Sequence, residues 1–177
     1  FYDNGIKVFN HLGEKLENEI ENKIEEYMDR PQDDLPCPSK ENVGHLYDWD
    51  SLKQDYIHWL SKKATSDYSS LKVLVDCANG SASYVAPFLY QKIGLNATFI
   101  NASPNGININ AGCGSTHMEA LSAAFHKGHY DLAFAFDGDS DRFMALAPDG
   151  RLIDGDAMIY LNALSLKKAG KLHSNTV

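Results

Sequence analysis

Short apolar segments alternate with amphipathic ones along the second part of the chain, and this alternation constrains the fold more than any other feature. Compact apolar runs are typical of buried strands, and apolar residues spaced three and four apart are typical of helices. The predicted order is strand 71–75, helix 83–93, strand 97–100, helix 116–127, strands 132–136 and 143–147, and helix 157–168. Strands that alternate with helices imply right-handed crossovers in a parallel sheet. The sequence therefore predicts an α/β fold with a mostly parallel sheet flanked by helices. The short interval between Phe136 and Phe143 predicts that the fourth strand turns back antiparallel at one edge.

Side chains that cap helices predict where three helices begin. Ser51 with Gln54, and Thr116 with Glu119, have the spacing of a capping box. Asp154 and Asp156 precede the last predicted helix and are expected to cap it, because carboxylates are favoured there by the helix dipole.

The first 50 residues differ from the rest in charge. They hold 5 basic and 13 acidic residues, whereas residues 51–177 hold 11 of each. A strand is predicted at 5–9 and a helix at 14–29, and Pro31, Pro36 and Pro38 mark a linker over 31–47. A segment this acidic disfavours binding to a phosphate backbone, so we predict no nucleic-acid partner.

The composition is that of an ordinary globular protein, with 44% hydrophobic and 23% charged residues. No apolar run approaches the roughly 18 residues that suggest a bilayer span, and the chain start shows no signal-peptide pattern. Cys37, Cys77 and Cys113 have unrelated spacings, which fits a reducing compartment better than a disulfide framework or a zinc site. We therefore predict a soluble, cytoplasmic protein without a membrane partner.

The acidic loop, residues 137–142, carries the most informative chemistry. Asp137, Asp139 and Asp141 follow the third strand at every second position, and their charges would repel one another without a cation between them. Carboxylate oxygens suit Mg²⁺ or Ca²⁺, and the loop holds no His or Cys for zinc or copper. Ligands of open α/β sheets bind beyond the carboxyl ends of strands. Arg142 adds a planar donor fork suited to phosphate, so the loop predicts a metal site for phosphoryl transfer.

The acidic loop has three other interpretations. An EF-hand needs Gly at the sixth and Glu at the twelfth position, where this chain has Arg142 and Pro148, so that interpretation fails. Phosphatases of the haloacid dehalogenase class share the pattern of a strand followed by Asp-x-Asp, but Thr or Val typically stands where Asp141 is here. A solvated acidic turn is the simplest alternative, and these last two stay open.

Six segments together resemble a known family, the α-D-phosphohexomutases. Their combined order is specific, whereas the acidic loop alone identifies only the superfamily. The segments at 105–110 and 113–117 favour the glucosamine branch. The six are YDNGIK (2–7), VDCANGSA (75–82), NGININ (105–110), CGSTH (113–117), DGDSDR (137–142) and DGD (154–156).

The resemblance implies an enzyme that interconverts glucosamine 6-phosphate and glucosamine 1-phosphate through a phosphoserine and a bisphosphorylated sugar. By the same resemblance, Asp137, Asp139 and Asp141 hold Mg²⁺, Arg142 stabilises the transferring phosphoryl group, and Lys7 assists proton transfer. A phosphorylated hexosamine is the expected substrate. A phosphomannomutase or phosphoglucomutase, and a noncatalytic metal-binding module, stay open as alternatives.

The resemblance also implies a domain assignment. Residues 1–30 correspond to the last strand and helix of domain 1, 31–47 to a linker, 48–174 to the metal-binding domain 2, and 175–177 to the start of domain 3. The reactive serine of the family precedes its Tyr-Asp-Asn-Gly stretch, so the isolated chain is expected to be inactive without the missing parts of domains 1, 3 and 4. An unpaired strand from domain 1 favours a homodimer or a domain swap.

Overall fold

The computed structural model describes residues 7–47 and 50–176. These residues form two compact units, 7–47 and 50–176. The acidic loop belongs to the second unit, whereas Lys7 belongs to the first.

Helix α1 (Asn18–Met28) is the longest element of the 7–47 unit, and a 3-10 turn follows at Lys40–Asn42. The helix begins later than predicted because Asn10 closes a turn, in which its side-chain oxygen accepts hydrogen bonds from the backbone N–H groups of Leu12 (2.9 Å) and Glu14 (3.0 Å). Phe9 then pairs with Lys15 in an isolated antiparallel bridge. Residues 5 and 6 of the predicted strand lie outside the described residues, and over 7–9 the described backbone forms no strand beyond this bridge.

The 50–176 unit is an α/β fold. Over this range five strands form one sheet: β1 (Lys72–Asp76), β2 (Asn96–Ile100), β3 (Leu132–Phe136), β4 (Phe143–Leu146) and β5 (Leu152–Ile153). They lie in the order β2-β1-β3-β4-β5. Strand β1 is parallel to both β2 and β3, whereas β4 and β5 add an antiparallel edge. This arrangement confirms the predicted fold class and the antiparallel turn after β3. The helices of this unit are α2 (Asp50–Ser61), α3 (Ala82–Lys92), α4 (Met118–Lys127) and α5 (Gly155–Lys168), with a 3-10 turn at His173–Asn175.

Alternate residues of β1 build a core on each face of the sheet. Val73 and Val75 pack toward α3, and Leu74 packs on the opposite face against α4. A strand buried on both faces has no polar alternation, which is why β1 appears in the sequence as a continuous apolar run. Burial of each such side chain contributes about 1.5–3 kcal/mol. The core is therefore layered as helix, sheet and helix, with β1 and β3 at its centre.

Two of the three predicted helix caps are wrong, although both helices begin within two residues of the predicted start. Helix α2 already includes Asp50, so the Ser51 hydroxyl lies past the position that caps a helix. Helix α4 begins at Met118 without a side-chain cap, because a backbone hydrogen bond from the His117 N–H to the Gly114 oxygen (3.0 Å) turns the chain there instead. Asp154 is confirmed as a cap, since its Oδ1 accepts a hydrogen bond from the Ala157 N–H (3.0 Å), whereas Asp156 lies inside the first turn of α5.

The helices of the described ranges 7–47 and 50–176 are all too short or too polar to cross a bilayer.

Candidate metal centre

The acidic loop follows β3 at the edge of the sheet where the parallel strands β1 and β3 both end. In the register of these strands Asp76 lies beside Ala135, so both strands end at the same level. Asp137 is 2% exposed, whereas Asp139 and Asp141 are exposed. The loop therefore combines one carboxylate held inside the protein with two that reach solvent.

The three predicted carboxylates converge. One oxygen from each of Asp137, Asp139 and Asp141 lies within 4.8 Å of the other two. Ser140 has a positive φ of 64°, and its N–H donates to the Asp137 backbone oxygen (3.2 Å), so the loop folds back on itself. This turn keeps the side chains at alternate positions on one side. We call the three aspartates the acidic trio.

Arg142 neutralises the buried member of the acidic trio. Its backbone N–H donates to Asp137 Oδ1 (3.1 Å), and its Nε donates to Asp137 Oδ2 (2.7 Å). The same Nε lies 3.9 Å from Asp141 Oδ1. The Arg142 side chain is nevertheless 67% exposed. The guanidinium thus holds Asp137 while staying accessible to a ligand.

Two carboxyls of the acidic trio have pKa values shifted in opposite directions. Burial raises the pKa of Asp137, but the hydrogen bonds and charge of Arg142 outweigh burial, and the net pKa lies below its ordinary value. The charge of Asp139 raises the pKa of Asp141, with smaller contributions from desolvation and from Asp137. Arg142 therefore offsets the cost of burying the charge of Asp137, whereas the exposed carboxylates of Asp139 and Asp141 still repel each other.

The dimensions and chemistry of the acidic trio fit one hard divalent cation. Two oxygens on opposite sides of one ion are about 4.2 Å apart for Mg²⁺ and about 5 Å apart for Ca²⁺, from ordinary metal–oxygen distances. The three donor oxygens of the acidic trio lie within 4.8 Å of one another, close enough to approach a single ion together. All three donors are carboxylates, which hard cations prefer. The residues present therefore fit Mg²⁺ or an ion like it.

The turn segment, residues 78–81, packs against the acidic loop. The Ser81 N–H donates to the Gly138 oxygen (2.9 Å), and the hydroxyls of Ser81 and Ser140 lie 2.8 Å apart. A Cβ added at Gly80 would lie 2.2 Å from the Gly138 oxygen, so this approach requires glycine. Asn79, with a φ of 48°, makes the tight turn that leads into it.

A cleft of about 450 Å³ opens beside the acidic loop. Ligand sites in proteins commonly have volumes of roughly 300–1,000 Å³, so the cleft has room for a small phosphorylated molecule. Asp141 and Arg142 form one side of the cleft, and Ser115, Thr116 and Met158 contribute to the rest. The guanidinium thus adjoins a space that a phosphate group can enter.

One protein-family model covers both this fold and the acidic loop. A family model described as "Phosphoglucomutase/phosphomannomutase, alpha/beta/alpha domain II" matches residues 54–150, more than half of the chain. The chain belongs to the phosphoglucomutase/phosphomannomutase family. The matched range contains β1 to β4, α3, α4 and the whole acidic loop, so this part of the α/β unit matches domain II of the family.

Curated relatives of the phosphoglucomutase/phosphomannomutase family resemble the chain over almost its whole length. The phosphoglucosamine mutase of Clostridioides difficile (strain 630) is 45% identical over 175 residues, which are 98% of this chain and 39% of that protein. The phosphoglucosamine mutase of Bacillus subtilis (strain 168) is 42% identical over 175 residues, 99% of this chain and 39% of that protein. The chain thus spans about two fifths of the length of these relatives.

Solved structures of the same family support the fold. A phosphoglucomutase/phosphomannomutase family protein from Burkholderia thailandensis has a TM-score of 0.58 at 24% identity, over 67% of this chain and 26% of that chain. A putative phosphomannomutase from Thermus thermophilus has a TM-score of 0.54 at 19% identity, over 69% of this chain and 29% of that one. At these identities the similarity establishes the architecture.

The structure brings four of the five predicted site residues together. The acidic trio and Arg142 form one cluster, whereas Lys7 lies in the 7–47 unit with an exposed side chain, and its role stays a prediction. Sequence reasoning missed Asp76, Ser81 and Gly114 as site residues. Asp76 and Gly114 bond each other over 38 residues, and Ser81 contacts Ser140 of the acidic loop over 59 residues. A carboxylate at the end of an otherwise apolar strand run was the available signal for Asp76.

Proposed function

We propose that the acidic loop is the Mg²⁺ site of a phosphoglucosamine mutase, and that the full-length protein interconverts glucosamine 6-phosphate and glucosamine 1-phosphate. The observation that carries this proposal is the convergence of three aspartate oxygens within 4.8 Å of one another at the end of β3, beside an accessible arginine. The similarity to curated phosphoglucosamine mutases supports the choice of substrate.

The residues of this chain have distinct roles in the proposed reaction. Asp137, Asp139 and Asp141 would hold Mg²⁺, which supplies positive charge against the oxygens of a transferring phosphoryl group. Arg142 binds those oxygens from the cleft side, and its bond to Asp137 fixes where its guanidinium lies. Lys7 is proposed, from the family resemblance, to assist proton transfer at the serine that carries the phosphoryl group.

An assay of the full-length protein that contains this chain tests the proposal. The interconversion of the two glucosamine phosphates is followed with a bisphosphorylated sugar as primer, for wild type, Asp139→Ala and Asp149→Ala. Asp149 is a matched control because it is another exposed aspartate in a turn. Its Oδ2 lies 3.9 Å from Nε of a neighbouring arginine, Arg151. A metal ion contributes several kcal/mol to such a transition state, so Asp139→Ala is expected to lower kcat/KM by about 100-fold or more.

The same assay separates the alternatives. The mutase is supported if wild type and Asp149→Ala turn over the glucosamine phosphates and Asp139→Ala does not. Equal turnover in wild type and Asp139→Ala contradicts the role given to the acidic trio. Preferred conversion of mannose or glucose phosphates instead identifies a phosphomannomutase or phosphoglucomutase, and absence of turnover with any of these sugars favours a noncatalytic metal-binding module.

A further inference from the structure

Asp76 is a fully buried carboxylate outside the acidic loop. It ends strand β1 and is 0% exposed. Its Oδ1 accepts a hydrogen bond from the Ala78 N–H (2.9 Å), and its Oδ2 accepts one from the Gly114 N–H (3.0 Å). Burial of a carboxylate is costly unless such bonds satisfy it. Each oxygen therefore holds a different segment of backbone, the turn segment on one side and residues 113–115 on the other.

Residues 113–115, which we call the glycine loop, contact the residue immediately before the acidic loop. The Ser115 N–H donates to the Phe136 oxygen (2.9 Å). A Cβ added at Gly114 would lie 2.5 Å from the same oxygen, so the two backbones are in close contact. The hydrogen bond from the Gly114 N–H to Asp76 therefore fixes the glycine loop. The glycine loop in turn holds the peptide that precedes Asp137.

The turn segment contacts the residue immediately after Asp137. Ala78, whose N–H is held by Asp76, has a positive φ of 52° and begins the turn. The turn then delivers the Ser81 N–H to the Gly138 oxygen (2.9 Å). Asp137 is therefore flanked on both sides of the chain by backbone contacts that originate at Asp76.

We infer that Asp76 is a positioning residue for the metal centre, acting through the turn segment and the glycine loop to hold Asp137 in place. This inference rests on the proposed function, since it concerns the site at which the cation binds. The charge of Asp76 matters, because both oxygens must accept. In Asp76→Asn the amide nitrogen is a donor and faces one of the two N–H groups, so one hydrogen bond is replaced by two opposed donors.

The experiment compares Mn²⁺ affinity, measured by the EPR signal of the free ion, between wild type, Asp76→Asn and two controls of this chain. In Asp131→Asn the altered carboxylate accepts from the Lys72 N–H (2.8 Å) at the opposite end of β1. Val73→Ala removes buried volume from the same strand. Altered support of metal ligands costs about 10–100-fold in affinity, so Asp76→Asn is expected to bind Mn²⁺ at least about tenfold more weakly. Both controls are expected to lower the unfolding midpoint and to keep wild-type affinity.

Amide hydrogen exchange in wild type gives a second measurement that does not depend on the folding of a variant. If the bonds of Asp76 favour cation binding, then cation binding must favour those bonds by the same factor. Saturating Mg²⁺ is therefore expected to slow exchange at Ala78 and Gly114 by about the same tenfold.

Each outcome has a clear meaning. Weaker Mn²⁺ binding in Asp76→Asn alone, with slower exchange at the two amides, supports the inference. Unchanged affinity in a folded Asp76→Asn, or unchanged exchange in wild type, overturns it while the proposed function stands. If wild type binds no Mn²⁺, the proposed metal site fails, and the inference fails with it.

Discussion

The closest backbone approach at the metal centre predicts a sharp effect for Gly80→Ala. A new Cβ would lie 2.2 Å from the Gly138 oxygen and 2.7 Å from its Cα. Ordinary contacts of this kind begin at 3.4 Å, so the two segments must separate by about 1.2 Å. Because Gly138 directly follows Asp137, that movement is transmitted to the first ligand of the acidic trio.

The cost of Gly80→Ala has two parts. Overpacking a well-filled site costs about 1–3 kcal/mol, and the hydrogen bond from Ser81 to Gly138, now 2.9 Å long, contributes about 1 kcal/mol more. The free energy of unfolding is therefore expected to fall by about 2–4 kcal/mol. Displacement of the loop is expected to weaken Mn²⁺ binding by about tenfold or more.

Urea denaturation without metal measures the first effect, and Mn²⁺ titration measures the second. Gly155→Ala is the matched control, because a Cβ at Gly155 meets no atom within 4 Å. Its free energy of unfolding is expected to rise by no more than about 1 kcal/mol, because Ala has a higher helix propensity than Gly. If Gly80→Ala unfolds within about 0.5 kcal/mol of wild type, the range of an ordinary surface substitution, and binds Mn²⁺ equally well, the reasoning from this contact is refuted.

Two further predictions concern charge and thiol chemistry. Arg142→Gln removes the partner of buried Asp137, so the metal-free chain is expected to melt at a lower temperature than wild type. Its melting temperature is expected to rise more on addition of Mg²⁺ than that of wild type. A smaller rise would contradict the role of Arg142 as the internal counter-charge. Exposed Cys37 is expected to react with a chromogenic thiol reagent in the native chain at pH 8, whereas Cys77 and Cys113 react only after denaturation. Burial, with the charge of Asp76, raises the pKa of Cys77 to about 12 and raises that of Cys113, which leaves about one Cys77 thiol in 10⁴ ionised at pH 8. Three fast-reacting thiols in the native state would contradict the burial of the two core cysteines.

The sequence was most informative where local composition decides the outcome. β1 and β3 are apolar because both faces of the sheet are covered, so their runs identify them as strands without any knowledge of their partners. The acidic trio was predictable for a similar reason, since three carboxylates within five residues cannot separate far. Asp154 also capped its helix as expected, because a cap acts over only three residues.

The rest could not be predicted because it depends on contacts between distant segments. Thr116 has the spacing of a capping residue, yet a backbone bond to Gly114 sets the start of α4. Asp76 reaches Gly114 over 38 residues, and Ser81 reaches Ser140 over 59. Strand β5 has two residues, too few for any periodicity to show. These features exist because the ends of β1 and β3 lie side by side, which follows from the fold and not from any local pattern.

The central claim is that the acidic trio is one divalent-cation site, and a crystal structure of the chain grown with Mn²⁺ tests it most directly. We expect an anomalous scattering peak within about 2.0–2.6 Å of an oxygen from each of Asp137, Asp139 and Asp141, the usual range of hard-cation bonds. A fully occupied Mn²⁺ peak elsewhere in the chain, with the three carboxylates free of metal, would contradict it.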